Sequence, residues 1–569
     1  MNRPIPMERA KTLTLWCLVA VVFVAGAFCR PARGESPAGT KAVSNEQAVR
    51  YGEAMYRKGV LPSGDPLMAV VKDDIPVEGT AFSCESCHLR GGMGSTEGGV
   101  YTPPTNGSRL FQPLKKIIRG VEVKYGEDPF IRPAYTDLSL AELLRYGIDP
   151  TGRIINDVMP RYEMNDTDMG YMIAYLKTLS SEFSPGVTDR TIHFATLYTE
   201  DVKAEDRQAM ISGLEAYVAG KNAISNSFKR QVTRRDRMMA KAMSRTKDIE
   251  PRTLTLSHWV LKGPPETWRG QLEEYNRTDP AFALLGGLTT GGEWRPVHSF
   301  CEENRVPCIF PNTDYPVISE TDWYTVYISK GYYQEGEAAA RYLNGEIETL
   351  KGSKIVQVVR ATRTGRSLVE GFDTTWREFG NSDAVTISLQ EGETLTKERL
   401  TAILAAEKPA VLLLWDGPAV VPALDALAAG KNRPQVALLS STYLGDALWK
   451  LPAVVRDVTY VTYPYRLPQD QPIDPMGGKI SFQVADNKIA KHTYALVQVL
   501  TMAVMEIKEA YYRDTFLDAI GNSMDRIVPL YERLSFGPGQ RYASKGCYIV
   551  QLTGGEKPEL VKKTPWVIH

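Results

Sequence analysis

Five consecutive residues, Cys84-Glu-Ser-Cys87-His88, carry the clearest chemistry in the chain. Two cysteines three positions apart can present both sulfurs to one partner, and a histidine follows at once. This C-x-x-C-H pattern is typical of covalent haem attachment, with the histidine as an iron ligand. A thioredoxin-like cysteine pair or half of a zinc site would share the cysteine spacing. Neither accounts for the adjacent histidine, so the sequence predicts one covalently bound haem c.

The sixth iron ligand must come from elsewhere in the chain. Met159 stands in Val158-Met159-Pro160, on a predicted loop before a helix, and Pro160 biases it towards an extended conformation. We therefore predict Met159 as the second axial ligand, because a thioether completes the iron coordination of many haem proteins. Met164 remains the alternative.

The N-terminus has the pattern of an export signal. Positive residues precede an apolar run from Leu13 to Cys29, and the small residues Ala32 and Gly34 follow. Residues 1–34 are therefore predicted to be a cleaved signal peptide, although a retained membrane anchor would have a similar apolar run. The expected location is the periplasm, with no stable membrane span after cleavage. Export also favours a disulfide between Cys301 and Cys308, seven positions apart.

Composition limits the classes of function. The 569 residues include 67 Lys plus Arg and 67 Asp plus Glu. A chain without net charge lacks the basic surplus of a nucleic-acid-binding protein, so no nucleic-acid partner is expected. Neither a G-x-S-x-G nucleophile elbow nor a phosphate-binding G-x-x-x-x-G-K loop occurs. Whether the chain is an enzyme stays open, with an electron carrier favoured over a substrate-converting oxidoreductase.

The periodicity of the sequence changes near residue 180. Helices are predicted from Ser44 to about Gly59, over Leu138–Tyr146, and after Asn165, which suits a helix N-cap. A linker containing Pro185-Gly186 covers residues 181–189. Beyond it, short apolar strands alternate with helical stretches, which predicts parallel sheets with helices on both faces.

Residues 44–180 resemble a single-haem class I cytochrome c domain, and the predicted domain covers residues 35–180. The order of the Gly52 helix, the Cys84–His88 motif, Met159-Pro160 and the terminal helix through Tyr175 matches that family. The resemblance implies an all-α domain whose end helices cross at Gly52, where a small residue lets Tyr175 approach. It also implies low-spin iron with His and Met ligands that transfers single electrons.

Residues 190–569 resemble a type I periplasmic binding protein, the fold of branched-chain amino-acid receptors. The resemblance rests on a glycine-rich stretch, 283–292, on Tyr327-Ile-Ser-Lys, and on the closing segment 536–551. It implies a two-lobed α/β fold with a small-molecule ligand between the lobes. In such sheets ligands bind at loops beyond the carboxyl ends of strands, and at helix N-termini. The candidate ligand-binding residues are Thr289, Thr290, Gly291, Gly365, Arg366, Asp416 and Thr442.

One departure from that family concerns the ligand. Amino-acid receptors place an acidic residue in the second lobe to hold the ammonium group, whereas the matching stretch, 440–445, contains no acid. Asp416 lies close by in sequence and is the candidate substitute. The identity of the small-molecule ligand therefore stays open.

Three functions fit these observations. The first is a periplasmic electron carrier, with redox partner proteins, fused to a ligand-binding module. The second is a haem-linked solute receptor or sensor of a transport or signalling system. The third is an oxidoreductase with its substrate in the two-lobed cleft. The short linker allows either coupled domains or two independent ones, and independence is the default for small interfaces.

Overall fold

The computed structural model describes residues 43–568, apart from 73, 98, 116–129, 232–251, 346–349, 351–353, 429, 471–486, 508–509 and 538. The predicted signal peptide, residues 1–34, lies outside the described residues. In the ranges that are described, no helix has the length and apolarity needed to cross a membrane.

The first domain is built on five helices. They are α1 (Asn45–Lys58), α2 (Cys84–His88), α3 (Gly107–Leu110), α4 (Asp137–Tyr146) and α5 (Asp166–Thr178). The side chain of Asn165 caps α5 by accepting a hydrogen bond from the Asp168 N–H at 2.9 Å. The three helices predicted from the sequence are thus present within one or two residues of their expected bounds.

Short strands make this domain different from the expected all-α fold. They are β1 (Met68–Val71), β2 (Ile75–Glu78), β3 (Ser95–Glu97), β4 (Val100–Thr102), β5 (Leu114–Lys115), β6 (Phe130–Arg132) and β7 (Arg161–Tyr162). A sheet of order β2-β1-β7 and the hairpins β3–β4 and β5–β6 result. Glycine and proline, frequent between the haem motif and Met159, disfavour helix, so extended segments there pair their backbone groups with one another.

The helices α1 and α5 cross at Gly52. A Cβ atom on Gly52 would lie 2.1 Å from the Tyr171 carbonyl oxygen and 2.6 Å from Tyr175 Cβ. Any larger residue would therefore push the helices apart. The rings of Tyr56 and Tyr175 meet beside the crossing, with centroids 5.4 Å apart. This close approach is the one that the sequence resemblance implies.

The first lobe of the second domain contains a five-stranded parallel sheet. Its strands are β8 (Thr191–Thr199), β9 (Thr253–Leu261), β10 (Ala283–Leu285), β11 (Cys308–Ile309) and β12 (Thr325–Val326), in the order β12-β11-β10-β8-β9. Separate hydrophobic clusters cover its two faces, as expected for a parallel sheet. Its helices are α6 (Ala204–Gln231), α7 (Trp268–Thr278) and α8 (Arg295–Asn304), joined by two later helices given below.

The second lobe contains the larger sheet. Its strands are β13 (Ile355–Arg360), β14 (Val385–Leu389), β15 (Val411–Trp415), β16 (Val436–Ser440), β17 (Thr459–Tyr463), β18 (Gly546–Leu552), β19 (Leu560–Lys562) and β20 (Val567–Ile568). The order is β14-β13-β15-β16-β17-β18-β19, with β20 also pairing with β18, and the first five strands are parallel. Its helices are α9 (Tyr332–Gly345), α10 (Arg363–Glu378), α11 (Lys397–Glu407) and α12 (Ser441–Leu444). The two-lobed α/β fold predicted from the sequence is confirmed.

The chain crosses between the lobes more than once. It leaves the first lobe after β12 and enters α9, and it returns after β17 to form α13 (Lys488–Ile507) and α14 (Arg513–Gly521) on the first lobe. It crosses again before β18. Two of these crossings run side by side, because the Tyr327 N–H donates to the Arg541 carbonyl at 2.8 Å and the Ser544 N–H to the Ile328 carbonyl at 2.6 Å. Residues 327–332 and 541–544 are called the paired crossovers below.

Candidate functional site

A cavity in the first domain collects the residues of the C-x-x-C-H motif. Its volume is about 560 Å³, within the range of small-molecule and cofactor sites. Cys84, Cys87, His88 and Met159 all line it. The rest of the lining is largely apolar and includes Phe82, Val100, Tyr101, Ile154, Val158 and Tyr162. The fold thus brings to one cavity all four residues that the sequence assigns to haem binding.

The ring of His88 is fixed by burial and by a hydrogen bond from one of its two nitrogens. Its ring is buried, and Nδ1 lies 2.8 Å from the Pro103 carbonyl oxygen. A carbonyl can only accept, so Nδ1 carries the proton and Nε2 is the nitrogen with a free lone pair. Burial lowers the pKa of His88 and favours the neutral ring. A hydrogen bond from one ring nitrogen to a backbone carbonyl is the usual way of orienting the other towards a metal.

The surroundings of Cys84 do not suit thiol–disulfide exchange. Cys84 is buried, and burial raises the pKa of its thiol to about 11, whereas Cys87 is exposed. Redox-active C-x-x-C pairs depend on a lowered thiol pKa, since the thiolate is the nucleophile. The environment of Cys84 therefore argues against the thioredoxin-like alternative.

Met159 and Met164 occupy different places. Met159 lies on the cavity wall, and its loop is fixed because Arg161 Nη1 donates to the Met159 carbonyl at 2.6 Å. Met164 is buried in the hydrophobic cluster formed by α1, α4 and α5 and does not line the cavity. Placement favours Met159 as the second axial ligand.

A second cavity, of about 400 Å³, lies between the two lobes of the second domain. Thr289, Gly291 and Thr442 line it, as the sequence predicts. Thr289 and Gly291 come from the loop after β10, and Thr442 comes from α12 after β16. Loops at the carboxyl ends of parallel strands from both lobes therefore meet at this cleft, as the general rule for open α/β sheets requires.

Most other residues of the cleft wall were not predicted from the sequence. They include four tyrosines and several other polar side chains: Asn312, Asp314, Tyr315, Ser329, Tyr332, Tyr465, Lys488, His492 and Tyr531. Asn312 to Tyr315 follow β11. The rule that ligands bind at loops beyond the carboxyl ends of strands was applied to the loop after β10, and applied to β11 it would have predicted these residues. Tyr465 likewise follows the end of the parallel strand β17. Lys488 and Tyr531 reach the cleft only because the chain returns to it, and no local sequence signal marks them.

Four predicted ligand-binding residues lie outside the cleft wall. Asp416 is buried and forms a bidentate ion pair with Arg360, with nitrogen–oxygen distances of 2.9 and 2.7 Å. Both of its carboxylate oxygens are therefore already paired within the second lobe. Gly365 is a packing residue, since a Cβ atom there would lie 2.1 Å from the Arg360 carbonyl oxygen. Arg366 is exposed and donates to the Ala361 carbonyl, while the N–H of Thr290 donates to Thr199. These four residues do not line the cavity, and their part in ligand binding stays a prediction.

The cleft is polar but carries little uncompensated charge. The Lys488 ammonium and the Asp314 carboxylate neutralise each other at 3.1 Å. His492 is fixed, with Nε2 donating to the Phe310 carbonyl at 2.9 Å, and burial lowers the pKa of its ring to about 4. At neutral pH the wall therefore offers hydroxyl, phenol and amide groups.

Contacts between the lobes border the cleft. Tyr315 of the first lobe bonds to Thr364 of the second, with an oxygen–oxygen distance of 2.7 Å. Arg363 pairs with Glu293 at 3.1 Å and lies over the Tyr315 ring. At the base, the buried Glu335 on α9 accepts hydrogen bonds from the Ser441 N–H and the Thr462 hydroxyl, at 3.1 and 2.6 Å. The first turn of α9 is thereby tied to the strand ends that present Thr442.

Cys301 and Cys308 are buried in the same hydrophobic cluster of the first lobe. Both are free thiols in the structure, and burial, with Cys308 next to it, raises the pKa of Cys301 well above its usual range. Their proximity is compatible with the predicted disulfide, which stays a prediction.

Most of the second domain matches a known protein family. Residues 262–557, slightly more than half of the chain, match the family model described as periplasmic binding protein. The chain belongs to the periplasmic binding protein family. No curated protein matches it.

Solved structures resemble about two thirds of this chain. The second domain, residues 190–569, is called the solute-binding module below. A putative branched-chain amino acid ABC transporter from Rhodospirillum rubrum is 14% identical, with 67% of this chain and 99% of that chain covered and a TM-score of 0.43. A branched-chain amino acid ABC transporter from Thermus thermophilus with bound valine is 14% identical, covers 67% and 97%, and has a TM-score of 0.42. A solute-binding protein from R. palustris in complex with benzoate is 14% identical, covers 67% and 98%, and has a TM-score of 0.42.

Family membership supports a small-molecule ligand for the cleft of the solute-binding module. Proteins of this family are typically periplasmic, in agreement with the predicted location. The family match begins at residue 262 and so does not include the haem motif. The haem and the redox partners accordingly stay predictions.

Proposed function

We propose that this chain is a periplasmic solute receptor that carries one haem c. The observation that supports the receptor is the inter-lobe cleft, where strand-end loops of both lobes converge on one cavity. A solute held there would contact Thr289 of the first lobe and Thr442 of the second. Contacts from both lobes favour closure around the solute by hinge motion.

The cleft wall favours a flat solute without a free ammonium group. Four tyrosines supply aromatic faces and phenol hydroxyls, a combination suited to a ring that carries hydrogen-bonding groups. Among the cavity-lining residues that are described, Asp314 is the one carboxylate, and Lys488 already neutralises it. An amino-acid ammonium would find no free carboxylate partner in that wall, so a neutral or weakly anionic aromatic compound fits better.

Solute identification tests the receptor. Small molecules released from the purified protein by acid would be identified by mass spectrometry and added back in calorimetric titrations. Tyr332→Ala should weaken binding of the identified compound by about tenfold, the upper end of the value of one aromatic contact. Tyr146→Ala removes an exposed tyrosine of the first domain and should leave affinity unchanged. Equal affinity of wild type and Tyr332→Ala would exclude this cleft as the binding site.

The haem is supported by the first cavity, which collects Cys84, Cys87, His88 and Met159. In this proposal the two cysteines attach the group covalently, and His88 and Met159 ligate its iron. When bound, the haem supplies one-electron transfer, and redox proteins of the periplasm would be its partners. The chain's own contribution is to keep His88 neutral and oriented by the Pro103 carbonyl, inside a largely apolar wall.

Absorption spectroscopy tests the haem. Protein exported from a host with cytochrome c maturation should show the sharp bands of a low-spin haem c after reduction. His88→Ala should lose the low-spin spectrum, whereas His193→Ala, in the first lobe, should keep it. A colourless wild-type protein from a host that matures other c-type cytochromes would refute this part of the proposal.

A further inference from the structure

The first domain is joined to the solute-binding module by a buried network of charged groups. Asp514 on α14 lies 2.8 Å from Arg57 and 3.6 Å from Arg90, and it accepts a hydrogen bond from the Tyr324 hydroxyl at 2.8 Å. The side chains of Asp514, Arg57 and Arg90 are each less than a fifth exposed. Pairs desolvated in this way resist separation far more than exposed ones.

The contact reaches the haem motif itself. The N–H of Gly91, three residues after His88, donates to the Asp518 carboxylate at 2.6 Å. The predicted linker is also tied down, since the Arg513 N–H donates to the Ser184 hydroxyl at 3.0 Å. These contacts do not fit two independent domains on a flexible tether.

One aromatic ring connects the haem motif to the paired crossovers. Two guanidinium groups lie over the ring of Trp323, that of Arg90 at 4.5 Å and that of Arg541 at 4.1 Å from the ring centroid. Arg90 is two residues beyond His88, and Arg541 belongs to one of the paired crossovers. Arg541 also donates to the Trp323 carbonyl at 3.0 Å. A shift of Arg90 would therefore be transmitted to Trp323 and Arg541.

The same segment continues into the cleft wall. From Trp323 the chain passes through β12 and the first of the paired crossovers, where Ile328, Ser329, Gly331 and Tyr332 line the solute cleft. Closure of the lobes must bend these crossovers, because they connect one lobe to the other. Trp323 thus contacts Arg90, two residues beyond His88, and precedes the cleft-lining residues Ile328 and Tyr332 by five and nine positions.

We propose that solute binding in the cleft and the oxidation state of the haem are coupled through the Arg90–Trp323–Arg541 contacts and the paired crossovers. This inference rests on the proposed haem. Ferric iron carries one more positive charge than ferrous iron, and Arg90 is a cation two residues beyond the proposed iron ligand His88. The electrostatic energy of Arg90 should therefore differ between the two oxidation states. Linkage then requires the solute to bind the two oxidation states with different affinity.

Hydrogen exchange in the full chain tests the coupling without a known solute. Sodium dithionite would give the iron one electron, and potassium ferricyanide would remove it. The amides to follow are those of Tyr327, Ala543 and Ser544, which pair the crossovers. Their exchange rates should differ by about fivefold or more between the ferrous and ferric proteins, the lower end of typical couplings. Equal rates in a protein that contains haem would overturn the inference.

Two substitutions locate the route. Trp323→Leu removes the ring that both arginines contact and should abolish the redox-dependent difference in exchange. Trp449→Leu makes the same change at a half-exposed tryptophan of the second lobe and should preserve the difference. An unchanged difference in Trp323→Leu would overturn the assigned route, and if that variant does not fold, Trp323→Phe should reduce the difference. A protein without covalent haem would instead refute the proposed haem, so the two failures are distinguishable.

Discussion

At the scale of single residues, local geometry decides which side chains can hold a ligand. The haem prediction could be made from the sequence because the residues that it uses lie within five consecutive positions. Asp416 could not be placed in this way, because its partner Arg360 is 56 residues away and takes both carboxylate oxygens. A carboxylate near a predicted site can bind a ligand only if it is not already paired with a cation from a distant part of the sequence.

The two methionines give a direct test at this scale. Met159→Ala should abolish the methionine–iron charge-transfer band at the red end of the ferric spectrum, because the side chain that lines the cavity is lost. Met164→Ala should keep the band but lower the free energy of unfolding by about 2–5 kcal/mol, as for other buried methionines. Loss of the band in Met164→Ala alone would reverse the assignment.

Glu335 predicts a pH dependence of stability. Burial raises the pKa of this carboxyl to about 7 from its ordinary value of 4.5, although neighbouring hydroxyls oppose the shift. The unfolded chain releases this proton at lower pH than the folded protein. The Glu335 contribution to stability is therefore fully present below about pH 4.5 and is lost as pH rises to about 7, by about 3 kcal/mol.

The measurement is urea unfolding at several pH values between 4 and 8. Glu335→Gln keeps the shape of the side chain but has no proton to lose, so the difference in stability between wild type and variant should change across this window. A constant difference from pH 4 to 8 would show that Glu335 does not titrate there.

At the scale of helices and strands, periodicity predicted part of the framework. The helices α1, α4 and α5 and the strands β8, β10, β13, β15 and β16 follow from apolar spacing and capping residues, whereas β9, β14, β17 and α13 were not predicted. The short strands of the first domain were not predicted either, because each has only two to four residues and is stabilised by pairing with a distant segment. Thus β7 (Arg161–Tyr162) pairs with β1, about ninety residues earlier in the chain.

The crossing of α1 and α5 provides a matched pair of substitutions. Gly52→Ala would place Cβ 2.1 Å from the Tyr171 carbonyl oxygen, whereas a Cβ on Gly170, also in α5, would meet nothing within 4 Å. Gly52→Ala should therefore lower the free energy of unfolding by about 1–3 kcal/mol, as overpacking does. Gly170→Ala should raise it by up to about 1 kcal/mol, the helix preference of alanine over glycine. Urea unfolding measures both, and equal effects would contradict the crossing geometry.

At the scale of the whole molecule, the domain interface is the feature that no sequence pattern indicated. Arg57 and Asp514, which meet at 2.8 Å, are separated by most of the chain. Charged residues on predicted helices are usually solvated, and nothing local distinguishes these two from their neighbours. The cleft has the same limitation, since later crossings supply Lys488 and Tyr531.

Removing the charge of Asp514 tests this interface. Asp514→Asn should remove the carboxylate that Arg57 and Arg90 share, leaving them Glu53 and Glu85 as their acidic neighbours. Stability should fall by up to about 3 kcal/mol, the cost of breaking a largely buried pair. Asp383→Asn breaks an exposed pair with Arg377 and should cost less than about 1 kcal/mol. Limited proteolysis at residues 181–189 should be faster in Asp514→Asn alone. Equal cleavage of both variants would mean that the charged network does not hold the domains together.

The proposed function requires that one chain joins a covalent haem c to a solute-binding module. Intact-mass measurement of the denatured protein, exported from a host with cytochrome c maturation, tests it most directly. The wild type should have the mass of the polypeptide plus one haem, and a Cys84→Ser, Cys87→Ser variant should have the mass of the polypeptide alone. A wild-type mass without the haem increment, in a host that loads a control cytochrome c, would contradict the account.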